Sequence, residues 1–163
     1  MDSKNTTRCV RRAREEDIPR LLELLEQVDM VHHNGRPDIF KGPVTKYSGE
    51  ELKGILCEDT TPVFVCVDEK DVPLGHAFCM HRQVTGDAVL TDIRTLYIDD
   101  ICVDSAARGK HVGRTLYEHV VSYAREQGFY NITLNVWSCN PSAMAFYEAM
   151  GLVPQKIGME VIL

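Results

Sequence analysis

Leu96-Tyr-Ile-Asp-Asp-Ile-Cys-Val103, then Asp104-Ser-Ala-Ala-Arg-Gly-Lys-His-Val-Gly113, then Arg114-Thr-Leu-Tyr-Glu-His-Val-Val-Ser-Tyr-Ala-Arg-Glu-Gln127, is the stretch on which the fold turns. The first segment is apolar apart from two carboxylates, the composition of a buried strand. The second carries two glycines and three potential cations, Arg108, Lys110 and His111, and reads as a loop. In the third, Val112, Leu116, Val120 and Val121 recur at helical spacing, with Tyr123 and Ala124 following, until Gly128 stops the helix. A strand, a basic glycine-bearing loop and a helix together suit an anion. The first turn of a helix has backbone N–H groups without partners, and its dipole favours negative charge. Arg108, Lys110 and Arg114 add charge, and glycine lets backbone approach a diphosphate closely. Taken alone, the same loop is also explained by packing and solubility.

Two nucleotide-binding patterns do not fit. The spacing from Gly109 to Gly113 is not G-x-G-x-x-G, and no acidic residue closes a following strand as a ribose partner. The Gly-Lys-Ser/Thr ending of a P-loop is absent as well.

Arg108-Gly-Lys-His-Val-Gly113 instead resembles the acyl-CoA pyrophosphate loop, R/Q-x-x-G-x-G/A, of the GNAT superfamily of N-acetyltransferases. Asn140-Pro-Ser-Ala-Met-Ala-Phe-Tyr-Glu-Ala-Met-Gly-Leu152 resembles the same superfamily's N-x-x-A-x-x-x-Y-x-x-x-G-F segment. Two motifs in the right order are far more specific than either alone, and the resemblance runs from Leu96 to the C-terminus. It implies an α/β fold of the mixed α+β kind: a central twisted, mostly antiparallel sheet of about six or seven strands flanked by about four helices. The chain departs from the pattern at His111, where the family usually has the central glycine of its loop. If that position needs positive φ, histidine is among the residues that tolerate it, and the loop is expected to persist, with cofactor affinity open to reduction.

The resemblance also implies roles. Acetyl-CoA would be the cosubstrate. The backbone of Ile101, Cys102 and Val103 would pair with the pantetheine arm as a further strand would. Arg108, Gly109, Lys110, His111, Val112, Gly113 and Arg114 would hold the pyrophosphate. Asn140 would touch the cofactor arm, besides capping its helix, and Tyr147 would lie by the thioester sulfur as general acid. For the base, polyamine acetyltransferases have an acidic residue at the place of Asp99, acting through water. Successive strand residues face opposite ways, so Asp99 and Asp100 reach one site only if a bulge intervenes. Another common base position holds Asn135, which accepts no proton at neutral pH. A water chain without a single dominant base stays open, as does a plain structural role for both carboxylates.

The rest of the chain reads as one globular domain over residues 1–163, with 44% hydrophobic residues and no repeat or linker. A net charge of -6 argues against a nucleic-acid surface and favours cationic acceptors, small molecules or peptides. The six cysteines form no C-x-x-C pair and read as reduced, packed thiols. Neither a signal peptide nor a run of roughly 20 apolar residues is legible, so a cytoplasmic protein without membrane partners is expected. A first strand is expected from Arg8 to Arg14, and a helix from Glu15 to about Met30. Val31 to Tyr47 reads as a long polar loop, and in the GNAT resemblance this region lies over the acceptor. His32, His33, Arg36, Asp38 and Phe40 are therefore candidates for substrate contact, although loop anchoring explains them equally. Two adjacent histidines do not make a metal site. Ser48 and Glu51 form a capping box for a short helix. Strands are expected at Val63–Val67, Leu74–Met80, Ile132–Trp137 and Ile157–Leu163, and a helix at Pro141–Met150. The leading expectation is an N-acetyltransferase acting on a primary amine by direct attack in a ternary complex, with a homodimer among its expected states. The alternative is a non-catalytic acyl-CoA-binding regulatory module, against which the retention of Tyr147 speaks.

Overall fold

The computed structural model describes residues 9–163. Its elements run β1 (Cys9–Arg12), α1 (Ile18–Gly35), α2 (Gly49–Cys57), β2 (Val63–Val67), β3 (Pro73–Gln83), β4 (Arg94–Val103), α3 (Val112–Glu126), β5 (Asn131–Leu134) and α4 (Pro141–Ala149), with two short 3-10 turns. The strands form one sheet in chain order, antiparallel from β1 to β4. β5 joins β4 in parallel, which requires a crossover, and α3 is that crossover.

The sheet is covered on both faces, and strand periodicity decides which side chain goes where. In β2, Phe64 and Cys66 meet α3, whereas Val63, Val65 and Val67 meet α1 and α2. The buried stripe of α3 is Val112, Leu116, Val120 and Ala124, every fourth residue, packed on Ala77, Cys79, Leu96 and Ile98. On the other face Leu21, Leu25 and Leu52 cover Val65 and Phe78. Each fully buried leucine contributes about 1.5–3 kcal/mol. The Ser48–Glu51 capping box forms at α2: Glu51 N donates to Ser48 Oγ (3.3 Å), and Ser48 N donates to Glu51 Oε2 (2.7 Å).

The mixed α/β class follows the expectation, with four corrections. First, the described residues hold five strands rather than six or seven. Ile157–Leu163 has the alternation of a strand but joins no ladder; Ile157, Met159, Val161 and Leu163 are exposed. Second, β5 stops at Leu134 instead of Trp137, and Asn135 turns its Nδ2 to the Tyr97 hydroxyl (3.1 Å). Third, α1 continues past Met30 to Gly35, so His32 and His33 belong to its last turn and not to a loop. The helix ends where it meets the chain after β5: a Cβ on Gly35 would stand 2.8 Å from Cys139 Sγ. Fourth, β1 ends at Arg12, and Arg8 lies outside the described residues.

Candidate active site

The site begins at an irregularity in β4. Phe78 on β3 pairs with Asp100 and Cys79 pairs with Ile98, so Asp99 is an extra residue with no partner across the ladder. This bulge resets the alternation. Leu96 and Ile98 before it, and Ile101 and Val103 after it, all pack toward α3. Asp99 and Asp100 therefore both turn to the α1 side. Asp99 Oδ2 accepts from Lys46 Nζ (2.5 Å) and from the Tyr47 hydroxyl (3.1 Å). Asp100 Oδ2 lies 2.7 Å from Nε2 of His76, a fully buried residue of β3 whose Nδ1 has no hydrogen-bond partner. With Nδ1 bare, the contact of Nε2 with Asp100 is the one hydrogen bond described for this buried ring.

At the same level the sheet opens. The last β4–β5 pair is Ile98 with Leu134, and Asp99 to Val103 continue without a β5 neighbour. On that stretch Ile101 and Val103 turn to α3, and Cys102 points to α1, its Sγ donating to the Leu24 carbonyl (3.3 Å). Burial, with the Asp100 charge adding, pushes the Cys102 thiol up to about 12, so it is no nucleophile at neutral pH.

Beyond Val103 the chain makes the turn Arg108 to His111 and enters α3. Gly109 has φ 74° and His111 φ 62°, so the position occupied by histidine is left-handed, as the family's glycine would suggest. The ladder of α3 starts with Thr115 N donating to His111 O (3.0 Å). The amides of Val112, Gly113 and Arg114 precede it, at the positive end of the helix dipole. Arg108, Lys110 and His111 are exposed around the turn, and Arg114 pairs loosely with Glu118 (3.7 Å). α4 packs beside Gly113: a Cβ there would stand 3.4 Å from both the Phe146 ring and Val103, at the near limit of ordinary contact. An open strand edge ending at an αL turn and a helix N-terminus has the donors that an amide-bearing arm and a diphosphate require.

Asn140 caps α4, its Oδ1 accepting from Ala143 N (3.2 Å) and from the Ser142 hydroxyl (3.1 Å). Tyr147 is half-buried, with Phe146 edge-on to it at 5.2 Å. Burial first, then the Asp100 charge, hold the Tyr147 hydroxyl well above the ordinary tyrosine value, so it keeps its proton at neutral pH.

The five candidates at the end of α1 and just after it form a second cluster. His32 stacks on Phe40 (5.1 Å between centroids), and Phe40 meets Trp137 edge-on (4.9 Å). His33 Nδ1 is 2.8 Å from the Phe40 carbonyl. Arg36 binds Asp38 (2.7 Å) and also Glu160 of the C-terminal segment. These residues thus anchor the loop against the chain between β5 and α4. Those that reach the bulge are Lys46 and Tyr47, with Asp29 of α1 holding Lys46 N (3.0 Å). Burial first, then Lys46 as a partner and Asp100 as a like charge, leave the Asp29 carboxyl raised on balance. Lys46, Tyr47, Asp29 and His76 carry no motif, and only the tertiary arrangement identifies them.

Among known proteins, the chain matches the Acetyltransferase (GNAT) family over residues 33–152. It is 33% identical to rice glucosamine 6-phosphate N-acetyltransferase 1 over 66 residues, 40% of this chain and 38% of that protein. It thus spans well under half the length of that relative. It is 28% identical to the Escherichia coli peptidyl-lysine N-acetyltransferase YjaB over 143 residues, 87% of this chain and 80% of that one. The crystal structure of a mutant BH1408 protein from Bacillus halodurans superposes with a TM-score of 0.91 at 29% identity, covering 95% of this chain and 99% of the other.

Proposed function

The chain belongs to the GNAT family of acetyltransferases, and we propose that it transfers the acetyl group of acetyl-CoA to the primary amine of a cationic small molecule or of a peptide lysine. Enzymes of this family use acetyl-CoA as cosubstrate. The observation that carries the reading is the bulge at Asp99, which turns two carboxylates to one face where β5 leaves β4.

In this reading residues 1–163 act as one catalytic domain. The open edge of Ile101 to Val103 and the αL turn into α3 bind the pantetheine arm and the diphosphate. Asp99 and Asp100, directly or through water, take the proton from the incoming ammonium. The amine attacks the thioester carbonyl in a ternary complex, and Tyr147 gives its proton to the departing thiolate. The Tyr147 hydroxyl carries its proton at neutral pH, as a donor must. Because burial makes it a weaker acid, its contribution in this reading comes from its place beside the sulfur.

The acidic lining favours the acceptor class. Asp29, Asp99 and Asp100 attract an ammonium and repel a phosphate, which supports a cationic alkylamine over a phosphorylated amino sugar such as the one in the rice relative's name. The peptidyl-lysine enzyme of E. coli, matched over most of its length, points the same way.

The test is calorimetric binding of acetyl-CoA, with CoA and NADH as comparisons, followed by turnover of spermidine and of a lysine-containing peptide. Acetyl-CoA should bind with CoA close behind, and NADH should not. Tyr147→Phe should keep that binding and lower kcat by about 10²-fold or more. Unchanged kcat would remove Tyr147 from the acid role, and absence of acetyl-CoA binding would remove the reading.

A further inference from the structure

Lys46 is held at the bulge by its side chain and its backbone alike. It lies in the segment leading into α2, yet its Nζ reaches Asp99 Oδ2 at 2.5 Å, beside the Tyr47 hydroxyl on the same oxygen. The ammonium also stands 5.4 Å from the centroid of the Tyr47 ring. Carboxylate and aromatic face together are what a protein uses to seat a primary ammonium. Asp99 is the first β4 residue past the last β4–β5 pair, so this seat is at the mouth of the opening in the sheet. Its backbone is held too, Lys46 N donating to Asp29 Oδ2.

We propose that Lys46 occupies the seat of the acceptor amine and is itself an acetyl acceptor, taking the acetyl group in the same molecule when acetyl-CoA is bound and no other amine is present. The inference rests on the acetyl-transfer reading and deepens it, because the chain then carries its own example of the acceptor: a primary ammonium on an unbranched alkyl stem. In the step, the Lys46 ammonium gives one proton to Asp99, from which it passes to solvent. The freed Nζ lone pair forms the bond to the thioester carbonyl carbon and its second proton is released as the amide forms. The carbon–sulfur bond breaks, and Tyr147 protonates the thiolate and is reprotonated from that released proton. The net change is ammonium plus acetyl-CoA to Nε-acetyllysine, CoA thiol and one proton. Acetylation removes the charge that Asp99 holds, so the seat is vacated and Asp99 is left to an incoming amine.

Lys53 supplies an internal control. Its side chain is 47% exposed against 45% for Lys46, and it too is ion-paired, to Glu15 at 3.3 Å. Ordinary chemical acetylation should treat the two alike. The experiment incubates the full chain with acetyl-CoA in an amine-free buffer and follows both lysines by peptide mass spectrometry at several protein concentrations. Lys46 should gain acetyl about tenfold or more faster than Lys53, as positioning beside a bound thioester requires. The rate per molecule should not depend on protein concentration, and Asp99→Asn or Tyr147→Phe should bring Lys46 toward the Lys53 rate while acetyl-CoA still binds. Equal rates at Lys46 and Lys53, or a rate that rises with protein concentration, would overturn the proposal. If spermidine or a lysine peptide is nevertheless acetylated, the acetyl-transfer reading survives that failure. If acetyl-CoA does not bind at all, both fall.

Discussion

The two halves of the candidate site are built by different means. The half assigned to acetyl-CoA is nearly continuous in sequence, from Ile101 through the Arg108–His111 turn to Arg114, and it offers mostly backbone: a strand edge, an αL residue and the first amides of α3. The half assigned to the acceptor is assembled from side chains of four distant segments, Asp29 on α1, Lys46 and Tyr47 before α2, His76 on β3, and Asp99 and Asp100 on β4. Backbone recognition tolerates changes of side chain and suits one shared cosubstrate. Side-chain recognition changes with each substitution and suits acceptors that differ among relatives. Substitutions should therefore separate the two halves cleanly.

The largest expected effect is on the first half. Gly113→Val sets a branched side chain into Phe146 and Val103, which already stand 3.4 Å from the position of a Cβ. Overpacking of this kind costs about 1–3 kcal/mol, and here it also pushes α4 from the start of α3. Acetyl-CoA affinity should fall by about 10²-fold, measured by calorimetry, while thermal unfolding shows the protein still folded. Retained affinity would mean that the helix N-terminus is not where the diphosphate sits.

Next is Asp100→Asn, which sharpens the comparison from the acceptor side. Asparagine Oδ1 can still accept from His76 Nε2, so the buried histidine keeps its bond and only the basic carboxylate is lost. The expected result is a fall in kcat of about 10²-fold, the scale of general acid–base catalysis, with acetyl-CoA affinity unchanged. An unchanged kcat would leave Asp99, or water, as the proton acceptor. Smaller again is Phe40→Ala, which removes the contacts to His32 and Trp137. Aromatic pairs contribute about 0.5–1.5 kcal/mol each, so KM for the amine should rise by roughly tenfold through a loosened loop. A matching loss of acetyl-CoA affinity would show that this loop serves both halves.

The same division explains what was legible in the sequence. α3 was, because Val112, Leu116, Val120 and Ala124 repeat its period in the chain itself. The αL turn was, because a motif marks it and histidine tolerates it. The bulge was legible only as a condition: two adjacent carboxylates raise the question, but the answer lies in how β3 pairs across from Phe78 and Cys79. His32 and His33 read as loop because they are polar, whereas helix α1 carries them and Phe40 meets both, His32 through its ring and His33 through its carbonyl. Ile157–Leu163 reads as a strand because its alternation is local, yet a strand also needs a partner edge, and none is paired to it among the described residues. Local patterns fix local shape; pairings and ring contacts between distant segments were not available to a reading of one chain.

The smallest expected effect falls on the residue that stands where the family's loop usually has glycine. His111 caps α3 at φ 62° and ψ 13° without a side-chain cap bond, so the αL conformation is held by the turn rather than by the imidazole. Leaving that region to glycine relieves about 1–2 kcal/mol of Cβ strain, and glycine's greater freedom in the unfolded chain takes back about 0.5–1 kcal/mol. His111→Gly should thus change the unfolding free energy by about 0–1.5 kcal/mol, on the stabilising side. Acetyl-CoA affinity should hold or improve, because backbone amides, not the imidazole, are assigned to the diphosphate. His111→Val, which forces a β-branched residue into the same conformation, should do the reverse on both measurements. If instead glycine weakens acetyl-CoA binding by tenfold or more, the imidazole itself contacts the ligand, and the first half of the site is not recognised through backbone alone.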